Sequence, residues 1–329
     1  MSSMALVTGA SGFIGRRLCR DLVGRGWRVR ALVRERLPEL ADVDQAVARQ
    51  LTDRDALRVA VDGVDTVFHF AARVHQLRDS APDSIDAYRV VNVDGTRTLL
   101  EEASRAGIAR FVFASSVKAV TAGPTESPIT EEEPAKPSDP YGISKFEAER
   151  VVGEFSSSIA TYVLRLPLAY GPGVKANMLA LFRAVDRGLP LPFGAIKNRR
   201  SLVFVGNVTW AALEIVAIPS ARGETFFVSD GGPVSTPELI REIAAALGRT
   251  PRLVPVPSAF FRLMSAAADL ASPFTRLPLN SAAIERLIGS LAVDSSKLVK
   301  VIGKSPPYTM REGLSETASW YKSQTATAA

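Results

Sequence analysis

A doubly wound, parallel α/β sheet carrying a smaller C-terminal lobe is the fold class this sequence predicts. Three observations carry it. The chain opens as strand, glycine turn and helix: the apolar run Met4 to Val7, then Thr8-Gly9-Ala10-Ser11-Gly12-Phe13-Ile14-Gly15, then apolar residues at helical spacing (Ile14, Leu18, Leu22). Short apolar runs and helix-spaced segments then alternate along the first half of the chain. From Lys175 onwards that alternation breaks up, which divides the chain into a first lobe over residues 1–172 and a second over 173–329, with the chain free to cross between them.

The glycine turn has a specific physical use. Gly9 lets the chain turn sharply, Gly12 removes the side chain that would block a pyrophosphate, and Gly15 lets helix and strand pack closely. The N–H groups that open the helix face such a ligand, so Ser11, Phe13 and Ile14 join the three glycines as candidate dinucleotide contacts. Arg28 to Val33 reads as the second strand. An acid closing this strand would bind the adenosine ribose, whereas Val33 and Arg34 stand there instead. That favours NADP(H), with Arg34 on a 2′-phosphate; in the NAD(H) alternative Arg34 stacks on adenine or is solvated.

Ala46 to Leu51 reads as the third strand, and Arg54 to Val61 as a helix that Asp53 is placed to cap. Asp53 is also a candidate contact for the adenine amino group. The fourth strand, Asp65 to Phe70, ends in Ala71-Ala72, small residues that allow a cofactor to approach the backbone. His69 within it reads as a hydrogen-bonded core histidine; His75 lies in the loop beyond, and neither anchors a metal site. A long helical pattern runs from Ile85 to Ala106 and includes Asn92. The fifth strand, Phe111 to Ala114, delivers Ser115-Ser116, and Thr121 to Pro140 follows as a flap-like loop.

The next helix begins Tyr141-Gly142-Ile143-Ser144-Lys145. Tyr141 and Lys145 are four residues apart and share one helical face. A phenol has an ordinary pKa near 10, and an ammonium beside it would bring it towards the working range. Ser116, or its neighbour Ser115, would share a hydrogen bond with the same substrate oxygen. Together they form a proton relay beside a hydride-exchanging cofactor.

On these residues the chain resembles the extended short-chain dehydrogenase/reductase family, whose signature is Thr-Gly-x-x-Gly-x-x-Gly, a Ser or Thr, and Tyr-x-x-x-Lys. The resemblance implies a Rossmann first lobe. It makes Tyr141 the acid/base, Lys145 its partner and ribose contact, and Ser116 the substrate hydrogen-bonder. After the sixth strand, Thr161 to Leu166, Pro167 would lie beside the nicotinamide. The segments Gly173 to Met178 and Asn198 to Val203 are similar to those of bacterial nucleotide-sugar 4-epimerases and 4-keto-sugar reductases. That likeness implies Asn177 at the diphosphate or sugar and Arg200 at the nucleotide phosphates. Two departures from the epimerase pattern tilt the reading towards reduction. Val117-Lys118-Ala119-Val120 follows Ser116 where many epimerases continue towards Val-Tyr-Gly, and no acid stands at Val33.

The resemblance therefore implies an NADP(H)-preferring oxidoreductase acting at C4 of a UDP-hexose, reducing a UDP-4-keto-6-deoxy-hexosamine for surface-polysaccharide precursors. A UDP-glucose or UDP-N-acetylglucosamine 4-epimerase with retained NAD is the second reading, and a non-catalytic dinucleotide sensor the third. Intact Tyr141 and Lys145 argue against the sensor.

Beyond Lys175, helices are expected at Met178 to Arg187, Val208 to Ala217, Pro237 to Leu247 and Ala259 to Leu270, with strands at Leu202 to Val205 and Glu224 to Val228. The apolar stretch Ser258 to Leu279 carries only Arg262, Asp269 and Arg276 as charges, which suits a buried helix or subunit contact better than a membrane surface. A last helix, Thr309 to Lys322, precedes a polar tail expected to be disordered.

Composition narrows the partners. The net charge of +6 comes from Lys and Arg scattered along the chain without aromatic interleaving, which points to phosphate-bearing small ligands rather than nucleic acid. No apolar run reaches the length of a membrane span, and Met1 to Ser3 leave no room for a secretory signal before the first strand. The single Cys19, read as a packed thiol, fits a reducing cytoplasm. A homodimer paired through helices of the first lobe is the assembly considered.

Overall fold

A computed structural model describes residues 3–74, 85–121, 123–261 and 288–327. His75 and most of the Ser258 to Leu279 stretch, including most of the helix expected at Ala259 to Leu270, lie outside the described residues.

The first lobe runs β1 (Met4–Thr8), α1 (Phe13–Gly24), β2 (Arg28–Val33), β3 (Asp44–Val47), α2 (Arg54–Val61) and β4 (Thr66–His69). It continues with α3 (Ile85–Arg89), a π-helical turn (Val90–Asp94), α4 (Gly95–Arg105), β5 (Arg110–Ser116), α5 (Pro140–Glu154) and β6 (Ala160–Leu166). β7 (Leu168–Tyr170), α6 (Ala176–Asp186), β8 (Pro190–Leu191), β9 (Leu202–Phe204), α7 (Val205–Ile215), β10 (Thr225–Phe227), α8 (Thr236–Leu247), β11 (Arg252–Leu253), α9 (Ser296–Ile302) and α10 (Met310–Thr327) follow.

Seven strands form one parallel sheet in the order β10-β6-β5-β4-β1-β2-β3. This is the doubly wound order with one strand added. Its chain reverses direction across the sheet between β1 and β4, so a crevice opens at their C-terminal ends, where the glycine turn and Ala71-Ala72 lie. Helices on both faces leave the central strands buried on both sides: β1 and β4 are buried at every position. One core layer joins α1 and α7 to Val7, Val112 and Leu164; the other joins α2, α4 and α5 to Leu6, Phe111 and Phe113. A third cluster, with Phe182 of α6, Ile240 of α8 and Leu314 of α10, fills the second lobe. The chain crosses back after residue 172, since α7 packs on α1 and β10 pairs with β6.

Three local expectations are corrected. The strand placed at Ala46 to Leu51 lies at Asp44–Val47. Its ladder ends where the Ala48 N–H donates to the Val33 carbonyl, and a turn, Asp53 N–H to the Gln50 carbonyl, then leads into α2. The helix from Ile85 to Ala106 is interrupted by the π turn. The polar tail from Ser323 is helical through Thr327, where no Gly or Pro stops the helix and the Thr325 hydroxyl donates to the Lys322 carbonyl. No helix among the described residues is long and apolar enough to cross a membrane.

Candidate active site

The glycine turn is built by backbone geometry. Gly9 has φ +69°, and a Cβ there would lie 2.7 Å from the Ala71 nitrogen. The Gly12 N–H closes the turn on the Gly9 carbonyl at 2.8 Å, and the first helical bond runs from Arg16 N–H to the Gly12 carbonyl. The N–H groups of Phe13, Ile14 and Gly15 therefore stand open at the start of α1. A Cβ on Gly15 would meet the Gly9 carbonyl oxygen at 2.1 Å. These residues fit a dinucleotide pyrophosphate: a bare cradle, open donors and the positive end of a helix. Ser11 is exposed at the tip of the turn, its carbonyl accepting from Arg16 Nε at 2.9 Å. Beside the turn, a cavity of about 530 Å³ lies between Phe13, Arg20, Lys175 and Trp320.

At the end of β2, Val33 is buried while Arg34 and Arg36 are exposed. Asp53 caps α2, accepting from the Ala56 N–H at 3.1 Å, which accounts for its carboxylate within the chain.

Beneath the turn, buried hydroxyls and His69 form one chain. Thr8 Oγ1 accepts from the Ala71 N–H at 3.1 Å and lies 2.6 Å from His69 Nδ1. His69 Nε2 lies 2.9 Å from Thr96 Oγ1, whose proton goes to the Asn92 carbonyl at 2.7 Å. Thr96 must then accept, so His69 is neutral with its proton on Nε2 and receives one from Thr8. Burial, with Lys145 adding, takes the imidazole from its ordinary 6.5 down to about 3. The unfolded chain binds this proton through that window and the folded chain does not. Stability is complete above the unfolded value and is lost, by ~1.4 kcal/mol per pH unit from this group, as pH falls towards the folded one. Denaturant melts at about pH 7 and about pH 5 check it, because a folded His69→Gln variant should lose this part of the slope.

Asn92 lies in the π turn and is buried. Its side chain bonds the Arg73 backbone in both directions, at 2.8 and 3.0 Å, and donates to Ser144 Oγ at 2.9 Å. Ser144 in turn donates to the Tyr141 carbonyl. The π turn thus fixes the first turn of α5, a positioning role that sequence reading missed.

α5 starts with Asp139 capping the Gly142 N–H at 3.1 Å and Pro140 in its first position. Gly142 is the other device reading missed: a Cβ there would lie 2.3 Å from the Lys118 carbonyl oxygen, so only glycine lets α5 press on the turn that follows Ser116. Tyr141 and Ser116 are thereby brought together at the crevice, near enough for Ser116 to act on the phenol's protonation. Ser115 points elsewhere. It is buried and donates to Glu149 of α5, which removes it from the crevice.

The proton relay differs from expectation in one respect. Burial raises the Tyr141 phenol to about 12, with Ser116 opposing and Asp139 and Tyr88 adding. The amine expected to lower it is instead seated on the Phe113 ring, Lys145 Nζ lying 3.9 Å from the centroid. Burial takes Lys145 itself down to about 7, with Glu149 opposing. Tyr141 is therefore held as a proton donor at neutral pH.

Pro167 is buried between β6 and β7. Asn177 is exposed in the first turn of α6, next to Ala176 with φ 52°, a left-handed conformation uncommon outside glycine. Arg200 bridges Val234 and Leu291 through its backbone, and its Nη1 donates to the Gly289 carbonyl at 3.0 Å. Cys19 is buried, and burial pushes its thiol up to about 12, as a packed and unreactive thiol requires. Among the described residues, no group of three His, Cys, Asp or Glu side chains is placed to hold a metal ion.

The profile of the NAD dependent epimerase/dehydratase family matches residues 5–228. A UDP-glucose 4-epimerase of Vibrio cholerae is 35% identical over 97% of this chain and 95% of its own length. A 2-alkyl-3-oxoalkanoate reductase of Stenotrophomonas maltophilia (strain K279a) is 32% identical over 94% of this chain and 96% of its own. Among solved structures, MoeE5 in complex with UDP-glucuronic acid and NAD superimposes with a TM-score of 0.76 at 25% identity, covering 98% of this chain and all of that one.

Proposed function

This chain belongs to the NAD dependent epimerase/dehydratase family and is an NAD(P)-dependent enzyme of the short-chain dehydrogenase/reductase type; we propose that it transfers hydride at C4 of a UDP-hexose, with reduction of a 4-keto sugar as the net reaction. The nicotinamide, when bound, supplies or accepts the hydride. Tyr141 is the observation that carries the reading. Burial keeps its phenol protonated, and Ser116 is the side chain that acts against that burial. The phenol then gives its proton to the C4 oxygen as C4 is reduced, and Ser116 holds that oxygen. Lys145 is assigned to the nicotinamide ribose and to the phenolate left behind. The glycine cradle, Ala71-Ala72 and Pro167 are assigned to the cofactor, and residues 173–329, with Asn177 and Arg200, to the sugar nucleotide.

NADP(H) as the exchanged cofactor is supported by the end of β2, where Arg34 and Arg36 are exposed and no ion pair among the described residues engages either. Arg34→Ser is expected to weaken NADPH binding by about 10- to 100-fold, the worth of one charge-assisted contact, and to leave NADH within about two-fold. Fluorescence titration with both nucleotides reads it.

A second reading, 4-epimerisation with retained NAD, is favoured by the Vibrio cholerae relative. Consumption of NADPH or NADH with a UDP-4-keto-hexosamine supports the reductase. Release of stoichiometric NAD on heat denaturation, together with interconversion of UDP-glucose and UDP-galactose, supports the epimerase and overturns the reductase.

A further inference from the structure

We propose that Glu149 and Arg165 are positioning residues for Lys145: a buried carboxylate one helical turn along α5 holds that amine charged, and the guanidinium from β6 holds the carboxylate in place. The proposal rests on the assignment of Lys145 above, and its geometry is independent of any substrate. Glu149 is four residues beyond Lys145, so both lie on one face of α5. Arg165 grips the carboxylate with two bonds, Nε to Oε1 at 3.1 Å and Nη2 to Oε2 at 2.8 Å. The Ser115 hydroxyl donates to the same carboxylate, and Ser115 is register partner to Arg165. One buried ion pair thus fastens the C-terminal ends of β5 and β6 to the middle of α5.

The pair is costly for the fold. Both side chains are buried, and Arg165 Nη1 has no hydrogen-bond partner among the described residues. A fold needing only stability here does as well with apolar residues of similar volume. A carboxylate favours the charged form of Lys145, because the residue is 1% exposed. Its other neighbours bring no negative charge: His69 of β4 is neutral, Phe113 of β5 offers a ring face and its cation–π attraction, and Tyr141 of α5 is an un-ionised phenol at neutral pH. Lys118 and Asp139, at the start of α5, are paired with each other. Among the described residues, Glu149 is the charged group that opposes the desolvation of Lys145.

The sign follows. Glu149→Gln removes that opposition and leaves the Arg165 cation unpaired, so Lys145 should lose its proton at lower pH, by about one unit or more. The double variant Glu149→Gln/Arg165→Met removes the cation too, and the midpoint should return part of the way. The experiment is a pH titration of the full chain labelled with ¹³C at lysine Cε, the Lys145 signal being assigned by its loss in Lys145→Met. The proposal requires midpoints in the order single variant, double variant, wild type. An unchanged midpoint in the single variant, or equal midpoints in the two variants, overturns it. Should the single variant not fold, a double variant titrating at or above the wild-type midpoint overturns it equally. The titration needs no substrate, so its failure is separable from failure of the proposed reaction, which Tyr141→Phe turnover tests.

Discussion

Tyr141→Phe is expected to reduce turnover by about 10²- to 10⁴-fold while NADPH or NADH binds with nearly unchanged affinity, because the variant removes the proton donor and almost nothing else. The ring stays, so its contact with Tyr88 survives at a centroid distance of 6.3 Å. Ser116 keeps its own bond, accepting from the Lys118 N–H at the start of the short turn after β5. The loss should fall on kcat more than on KM, since the proton moves only in the transition state. Steady-state kinetics on the 4-keto substrate, with a nucleotide titration of the same sample, separate the outcomes. A variant at full rate would move the acid elsewhere, and a variant that no longer binds nucleotide would make Tyr141 a structural residue.

How this phenol is held was only half legible in the sequence. The spacing of Tyr141 and Lys145, the glycine turn and the strand ending in Ser115-Ser116 are local patterns with a period, and α2 fell within its expected bounds, Arg54–Val61. Which serine faces the crevice was left open. Parity along β5 decides it: Phe111 and Phe113 point into the layer that holds α5, so Ser115 follows them and meets Glu149, while Ser116 ends the strand. The π turn has no sequence signature of its own; Asn92 read as a helix residue whose amide is solvated or bonded to a neighbouring strand's backbone, and it bonds the Arg73 backbone after β4 and ties it to the first turn of α5. Glu149 and Arg165 were also illegible. A charged residue in a helix or strand pattern reads as solvent-facing, and only pairing across α5 and β6 shows that these two are not.

The second lobe was less readable for a related reason. β10 is three residues long and completes its pairing with β6 after some 60 intervening positions, a non-local event that no window of sequence records. β7 and β9 make a two-stranded ladder directly beyond β6, and β8 with β11 makes another. The strands expected at Leu202 to Val205 and Glu224 to Val228 do lie at β9 and β10, so it is their partners, not their existence, that the sequence left unread. Arg200 shows the consequence. Its resemblance to a phosphate-binding arginine is a matter of position, whereas its Nη1 contact with Gly289 and its backbone bridges to Val234 and Leu291 come from the tertiary structure.

Gly15→Ala and Gly12→Ala should separate folding from cofactor binding. At Gly15 the added carbon would sit 2.1 Å from the Gly9 carbonyl oxygen, 2.7 Å from its carbon and 2.8 Å from Ala10 Cα. All three are backbone atoms of the turn itself, so no side chain can rotate away. Gly9 cannot retreat either, being pressed against Phe70 and Ala71 at the end of β4. Relief requires α1 to move off β1, and the expected cost is ~3 kcal/mol or more, at the top of the range for overpacking. Dinucleotide binding should be lost with it. At Gly12 the added carbon would lie 3.0 Å from the same oxygen, and the residue is exposed with extended backbone, so a shift of a few tenths of an ångström relieves it. Gly12→Ala is therefore expected to cost under ~1 kcal/mol of stability yet weaken nucleotide binding at least about 10-fold, since its methyl occupies the approach of the pyrophosphate. Denaturant melts and nucleotide titrations on both variants give four numbers. A Gly15→Ala protein as stable as wild type would mean that α1 is not locked against the turn, and a Gly12→Ala protein with full affinity would place the pyrophosphate away from the cradle.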